Sequence, residues 1–248
     1  MADGVNALVS RVDALGGYFG IQSGAAPPAD GWRPLADLMT GSHQLSERVG
    51  GARRDLAAAA SVAPADVEYR AAASAVHLGL VARLVSPVVA AAVIGDTVLD
   101  LDPDRCCWRP PIDGEPSFAL RLPHPQGAAI PDAAGQAAAF ARVALAPLLL
   151  PLEDTVHRGA RVSRRVLRGN LGSGLAGAVT VLVGALPRLQ RPADRLLRAL
   201  LLLPELAGTG QIEDGGRFRR HSCCLFYRVP GGGLCGDCIL TRPARPAG

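Results

Sequence analysis

The stretch Pro64-Ala-Asp-Val-Glu-Tyr-Arg-Ala-Ala-Ala-Ser-Ala-Val-His-Leu-Gly-Leu-Val-Ala-Arg-Leu-Val-Ser-Pro-Val-Val-Ala-Ala-Ala92 sets the fold class. Pro64 suits a first helical turn, where its missing N–H leaves no bond unmade. Val76, Leu80, Val81 and Leu84 recur at three- and four-residue steps and share one apolar face. The run predicts one long helix ending near Ala92, with Pro87 as a kink. Outward from it, the same periodicity predicts helices over 4–15, 45–60 with Ser42 as a cap, 131–149, 152–186 with a break near 169–174, and 192–203. Residues 16–34 are Gly/Pro-rich and read as loop.

Between these helices the texture changes. Asp96-Thr-Val-Leu-Asp-Leu101 alternates, Pro103-Asp104 signals a turn, and Cys106-Cys-Trp108 and Ser117-Phe-Ala-Leu-Arg-Leu122 have strand composition. We expect a small antiparallel sheet within 93–122. The fold class is therefore mainly α with a small antiparallel β-sheet (α+β). The expected domains are a helical body over 1–208 and a C-terminal segment over 209–248, ending in a frayed tail from 242.

The chain has 248 residues, 49% of them hydrophobic and 19% charged, which suits a folded core and excludes a disordered chain. All 26 basic residues are arginine, and the net charge is only +4, so no nucleic-acid surface is implied. The N-terminus lacks a basic run followed by an apolar one. We expect no signal peptide and a cytoplasmic location, where six cysteines stand as thiols or ligands rather than disulfides. Residues 169–187 are uncharged, but Asn170, Ser173 and several glycines dilute them. They read as a buried helix, so no transmembrane segment is expected, although peripheral membrane proximity stays open.

The chemistry is concentrated in His221-Ser-Cys-Cys-Leu-Phe-Tyr-Arg-Val-Pro-Gly-Gly-Gly-Leu-Cys-Gly-Asp-Cys238. Cys223, Cys224, Cys235 and Cys238 follow the pattern C-C-x10-C-x2-C. Four soft thiolates so close in sequence are a ligand set for an iron–sulfur cluster or a zinc ion. Structural zinc usually takes two separated C-x2–4-C knuckles, and the vicinal Cys223-Cys224 pair departs from that. Pro230-Gly-Gly-Gly233 can fold the second pair back onto the first. Gly236 would let amides approach the sulfurs. Leu225, Phe226 and Tyr227 can shield the site, and Arg217, Arg219, Arg220 and Arg228 flank it with positive charge that favours a reduced centre.

The segment Arg219-Arg-His-Ser-Cys-Cys-Leu-Phe-Tyr-Arg-Val-Pro-Gly-Gly-Gly-Leu-Cys-Gly-Asp-Cys-Ile-Leu240 closely resembles the C-terminal signature of the FhuF-like ferric siderophore reductases. The resemblance covers about twenty residues strongly, with the four cysteines at the family spacing; the helical body is only loosely compatible. It implies a [2Fe-2S] cluster held by Cys223, Cys224, Cys235 and Cys238, which form the redox centre. It implies one-electron reduction of an Fe(III)-siderophore to release Fe(II), and an external electron donor of the ferredoxin or flavin-reductase kind. Two other readings stay open: a non-enzymatic [2Fe-2S] sensor or electron carrier, and a siderophore-handling protein with structural zinc.

Other features read more plainly. Gly172-Ser-Gly-Leu-Ala-Gly177 matches G-x-G-x-x-G but lacks a preceding strand, so its glycines are expected to permit close helix packing rather than bind a nucleotide. Arg158, Arg161, Arg165 and Arg168 are expected on one helical face, either solvated or steering an anionic partner. Cys106 and Cys107 read as buried strand thiols. His221, beside the cysteines, could hydrogen-bond a sulfur or equally lie at the surface. Glu153, Asp154, Glu213 and Asp214 are expected to be solvated. Trp32, Tyr69, Trp108 and Phe140 could wall a pocket or fill a core.

Overall fold

The computed structural model describes residues 2–25, 31–40, 42–110 and 118–240. Ser117 and the tail from 242 therefore lie outside the described residues, as do the side chains of Ser42 and His43.

The helix expected at 64–92 is the axis of the molecule. A 3-10 turn at Pro64–Asp66 precedes helix α4, Tyr69–Gly95, whose residues from Leu80 to Val93 are almost all buried. α4 is apolar over most of its circumference because other elements cover most of it. It runs through Pro87 and stops at Asp96, which takes a left-handed conformation (φ 47°). Before it come α1 (Ala2–Asp13), the single turn α2 (Asp37–Thr40) and α3 (Ser42–Ala60). After the strands come α5 (Ala133–Phe140), a π-helical stretch Ala141–Leu149, α6 (Leu150–Ala160), α7 (Arg164–Ala185) and α8 (Gln190–Leu201).

Two expected helix breaks are displaced. The helix from Ala133 continues past Pro147 and Pro151 to Ala160 because π-type bonding, such as Leu150 N–H to Leu145 O, absorbs the missing proline donors. The real interruption is at Arg161–Ser163. Arg161 is left-handed (φ 53°), and the Ser163 hydroxyl accepts the Val166 N–H to cap α7. α7 then passes straight through Gly169–Gly174, where a break was expected, because those glycines are contact points. A Cβ on Gly174 would lie 2.6 Å from Val81 Cγ1 of α4. The glycines let the two central helices close on each other, as the sequence reading of the G-x-G-x-x-G stretch expects, and that packing outweighs their poor helix propensity.

The strands do not form one antiparallel sheet within 93–122. Strands β4 (Cys107–Arg109) and β5 (Ala119–Leu122) pair antiparallel, but the N-terminal loop adds both edges: β1 (Gln22–Ser23) lies parallel to β5, and β2 (Arg33–Pro34) antiparallel to β4. β3 (Thr97–Leu99) instead pairs with β6 (Gly127–Ala129). Buried Arg83 of α4 pins the loop, donating to Phe118 O and to Tyr18 O at 3.0 and 3.2 Å and also to Gly20 O. Strands as short as β1 and β2 have little periodicity of their own and are defined by these tertiary contacts. A last hairpin, β7 (Gly210–Ile212) with β8 (Phe218–Arg220), packs on α7 and leads into the cysteines.

The main core gathers around α4, with Trp108 and Phe118 edge to face in it at 6.1 Å. A smaller core under α3 joins Leu45, Val49, Val67, Val156 and Leu167. α4, the run Ala133–Ala160 and α7 are long and apolar enough to cross a membrane by length and composition; 72%, 44% and 61% of their most apolar windows is buried within this fold.

Candidate metal centre

The cysteine segment is built on β8. Its alternation buries Phe218 and Arg220 and leaves Arg219 half-exposed. Glu213 holds Arg217 and Arg219 at 3.4 and 3.3 Å. After Cys223-Cys224 the chain turns through left-handed Leu225 (φ 70°) and a 3-10 turn at Phe226–Arg228. Gly231 and Gly233 also have positive φ (72° and 68°), and a Cβ on Gly232 would meet Phe226 O at 2.5 Å. This tight return brings Cys235-Gly-Asp-Cys238 against the first pair. Asp237 O accepts the Arg220 N–H at 3.1 Å, and the Asp237 carboxylate accepts the Ser173 hydroxyl of α7.

Two of the four sulfurs are in contact. Cys224 Sγ and Cys235 Sγ are 3.4 Å apart and share a hydrogen bond. Leu225 N–H donates to Cys223 Sγ at 3.3 Å and Leu240 N–H to Cys238 Sγ at 3.4 Å. The Phe226 amide points to Cys224. Amide donors two residues beyond a cysteine stabilise thiolate charge. Cys224 and Cys238 are buried; Cys223 and Cys235 are half-buried.

Ionisation is unequal across the set. The hydrogen bond with Cys235 draws Cys224 down to about 6, helped by the Phe226 amide and by Arg220. The same contact, with burial, pushes Cys235 up. Burial raises Cys223 against the Leu225 amide.

Among the described residues, no three His, Cys, Asp or Glu side chains converge tightly enough to hold a single ion. A [2Fe-2S] cluster divides four thiolates between two irons, and four cysteines on one tight return, with Cys224 against Cys235 and amides on Cys223, Cys224 and Cys238, suit that division. The donor set therefore fits the group.

Beneath the sulfurs lies a polar layer that the sequence reading missed. Fully buried Arg220 donates to Asn170 Oδ1 at 2.9 Å and Val166 O at 3.2 Å. Asn170 donates to Ser74 O and Ser74 Oγ at 3.0 and 3.1 Å, and its amide is 3.4 Å from His77 Nδ1. Arg220 Nε and Nη1 and His77 Nε2 have no hydrogen-bond partner. Asn170 within an otherwise apolar stretch was the available signal. α7 accepts this layer only because its glycines are bare: a Cβ on Gly169 would lie 2.1 Å from Ser222 Oγ.

Other expectations need correction. The four arginines do not share a helical face, because Arg161 is the break between α6 and α7. Arg158 and Arg164 pair with Asp154, Arg164 and Arg168 with Glu153, and Arg165 donates to His221 O. Glu153 is fully buried between those arginines rather than solvated. His221 meets Gly208 O and Gln211 through its ring, not a sulfur. Arg228 pairs with Glu68 at the surface. Cys106 is buried but lies just before β4, its thiol pushed up to about 12, chiefly by burial; Cys107 opens the strand and is only half-buried. Trp108 and Phe140 fill the core, Trp32 lies under Arg109 and Arg121, and Tyr69 faces Arg53.

A cleft of about 760 Å³ opens between α4 and α7, with Cys224 and Cys235 in its wall. Its aromatic lining is Tyr18, Phe19, Phe218 and Phe226, none of the four aromatics considered from sequence.

Fold and site together define a helical protein closed by a four-cysteine iron–sulfur type segment. Residues 220–238, which hold all four cysteines, match the family model for the FhuF 2Fe-2S C-terminal domain. No curated protein matches the chain.

Proposed function

We propose that this protein is a cytoplasmic ferric siderophore reductase that delivers one electron to a chelated Fe(III) and releases Fe(II). The observation that carries the reading is the position of Cys224 and Cys235, in contact with each other and in the wall of a cleft large enough for a small molecule. Cys223, Cys224, Cys235 and Cys238 would hold a [2Fe-2S] cluster. When bound, that group supplies single electrons at a potential set by charge, hydrogen bonding and exposure.

The chain's own residues do the rest. The amides of Leu225, Phe226 and Leu240 stabilise thiolate charge. Arg220 sets a buried positive charge behind the sulfurs. Phe226 lines the cleft beside Cys224 and Cys235, and Ser173 ties the second cysteine turn to α7 through Asp237. Siderophores bind Fe(III) far more tightly than Fe(II), so transfer of one electron is the step that loosens the metal. A ferredoxin-like protein or a flavin reductase would resupply that electron.

The test is anaerobic. Protein carrying its cluster and reduced with dithionite, then freed of excess reductant, is mixed with a ferric trihydroxamate while the visible spectrum and a ferrous-specific chromophore are followed. One Fe(II) per cluster reoxidised supports the reading. A cluster that stays reduced in the presence of every ferric chelate offered points to the sensor or carrier alternative. Zinc without iron or acid-labile sulfide in the purified protein points to the structural-zinc alternative.

A further inference from the structure

The cleft between α4 and α7 has a feature that helix packing does not explain. Gly169, Gly172 and Gly174 are bare because a Cβ at each would strike a neighbour. Gly79 of α4 and Gly177 of α7 also line the cleft, yet a Cβ at either would meet nothing within 4 Å. These two glycines widen the cleft from opposite walls. Mid-helix glycine weakens a helix, so neither position is favoured by helix stability.

The lining identifies what would fit. Leu78, Phe226 and small residues of both helices make most of it apolar, and Val181 at its edge is 58% exposed. Its charged members are one Arg217 and one Asp237, each already engaged, with Glu213 and Ser173 respectively. A multiply anionic ligand would be desolvated here without a free counter-charge, whereas an uncharged one with an apolar exterior would not. A concave cleft of this size suits a small molecule better than a flat protein face.

We propose that this cleft is the binding site for the organic scaffold of an electroneutral ferric chelate, which Gly79 and Gly177 admit and which thereby lies against Cys224 and Cys235. The inference rests on the reductase reading and says where that substrate sits.

The test separates binding from electron transfer by using a redox-inert gallium(III) trihydroxamate. Calorimetry on the cluster-loaded protein compares the wild type with Gly79→Leu, Gly177→Leu, rim variant Val181→Glu, and Gly184→Leu as a control. Gly184 lies on α7 outside the cleft and is equally open around its Cβ. Leucine favours a helix over glycine, and Val181 is exposed, so these chains should fold. We expect at least tenfold weaker binding for the three cleft variants and no change for Gly184→Leu. Reoxidation by ferricyanide, which is small and needs no cleft, should be unchanged in all of them. The proposal is overturned if the wild type does not bind the gallium chelate, if the cleft variants bind as well as the wild type, or if Gly184→Leu weakens binding equally. Gallium binding that behaves as expected, with no reduction of the ferric chelate, keeps the cleft and removes the reductase reading.

Discussion

The Arg220 guanidinium donates to the Asn170 side-chain oxygen at 2.9 Å, and both residues are fully buried. Among the described residues no carboxylate forms an ion pair with Arg220, and two of its nitrogens have no hydrogen-bond partner. A buried charge without a counter-charge is costly. The negative groups it acts on are the thiolates of Cys224 and Cys223, whose ionisation it favours.

Arg220→Gln should therefore lower the midpoint potential of the bound cluster, because reduction adds negative charge that Arg220 stabilises. A loss of about 1 kcal/mol at the centre is roughly 40 mV for one electron. Burial makes this shift nearly independent of salt, whereas any effect of surface Arg228→Gln should vanish at high ionic strength. Optical redox titration at two salt concentrations checks both. An unchanged potential in the Arg220 variant would end the counter-charge argument and leave the cysteine assignment standing.

Gly169→Ala and Gly177→Ala should part company. The first places a methyl group 2.1 Å from Ser222 Oγ and 2.6 Å from Arg220 Nη2. It should destabilise the protein by about 1–3 kcal/mol and reduce cluster content. The second meets open space and should be neutral or stabilising by up to about 1 kcal/mol. Urea unfolding with iron and sulfide assays reads the contrast; equal behaviour of the pair would refute it.

Serine at Cys223, Cys224, Cys235 or Cys238 should lose or strongly alter the cluster, since a hard oxygen poorly replaces a thiolate. Serine at Cys106 or Cys107 should leave iron and sulfide content intact. Cys106, held near 12 by burial, should also resist alkylation in the native protein at pH 8. Full cluster content in the Cys235→Ser protein would remove that residue from the ligand set.

His77 gives a pH signature. Burial first, and then Arg220, depress its pKa from 6.5 to about 3, so the native imidazole stays neutral where the unfolded one takes a proton. Its contribution is complete above about pH 6.5 and is lost as pH falls towards 3, at up to about 1.4 kcal/mol per pH unit. Urea unfolding of the metal-free chain at pH 7.5 and 5.5 should show wild type losing roughly 1 kcal/mol more than His77→Gln. Identical losses would mean His77 is protonated in the fold.

Much of the site was legible because its information is local. Four thiols at fixed spacing, a Pro-Gly-Gly-Gly return and the neighbouring arginines can be read from one segment of chain. The helices of the body were legible for the same reason, since amphipathic and apolar periodicity is written along each element. Readings that needed a partner from elsewhere failed. The break at 169–174 was expected from glycine's weak propensity, yet Arg220, Thr209 and Val81 occupy the space that those glycines leave. Ser163 was the better local signal, because a serine can cap the helix that follows it.

By itself, the sequence determined a mainly helical protein with a four-cysteine C-terminal segment of the FhuF type, because periodicity and ligand spacing survive without a fold. Only the tertiary structure decided which side chains surround that segment. Long-range packing of α4, α7 and β8 buried Arg220 on Asn170, hid Glu153 between two arginines, took both edges of the sheet from the N-terminal loop and opened a cleft beside Cys224 and Cys235. Burial and juxtaposition depend on residues far apart in the chain, and no local pattern carries them.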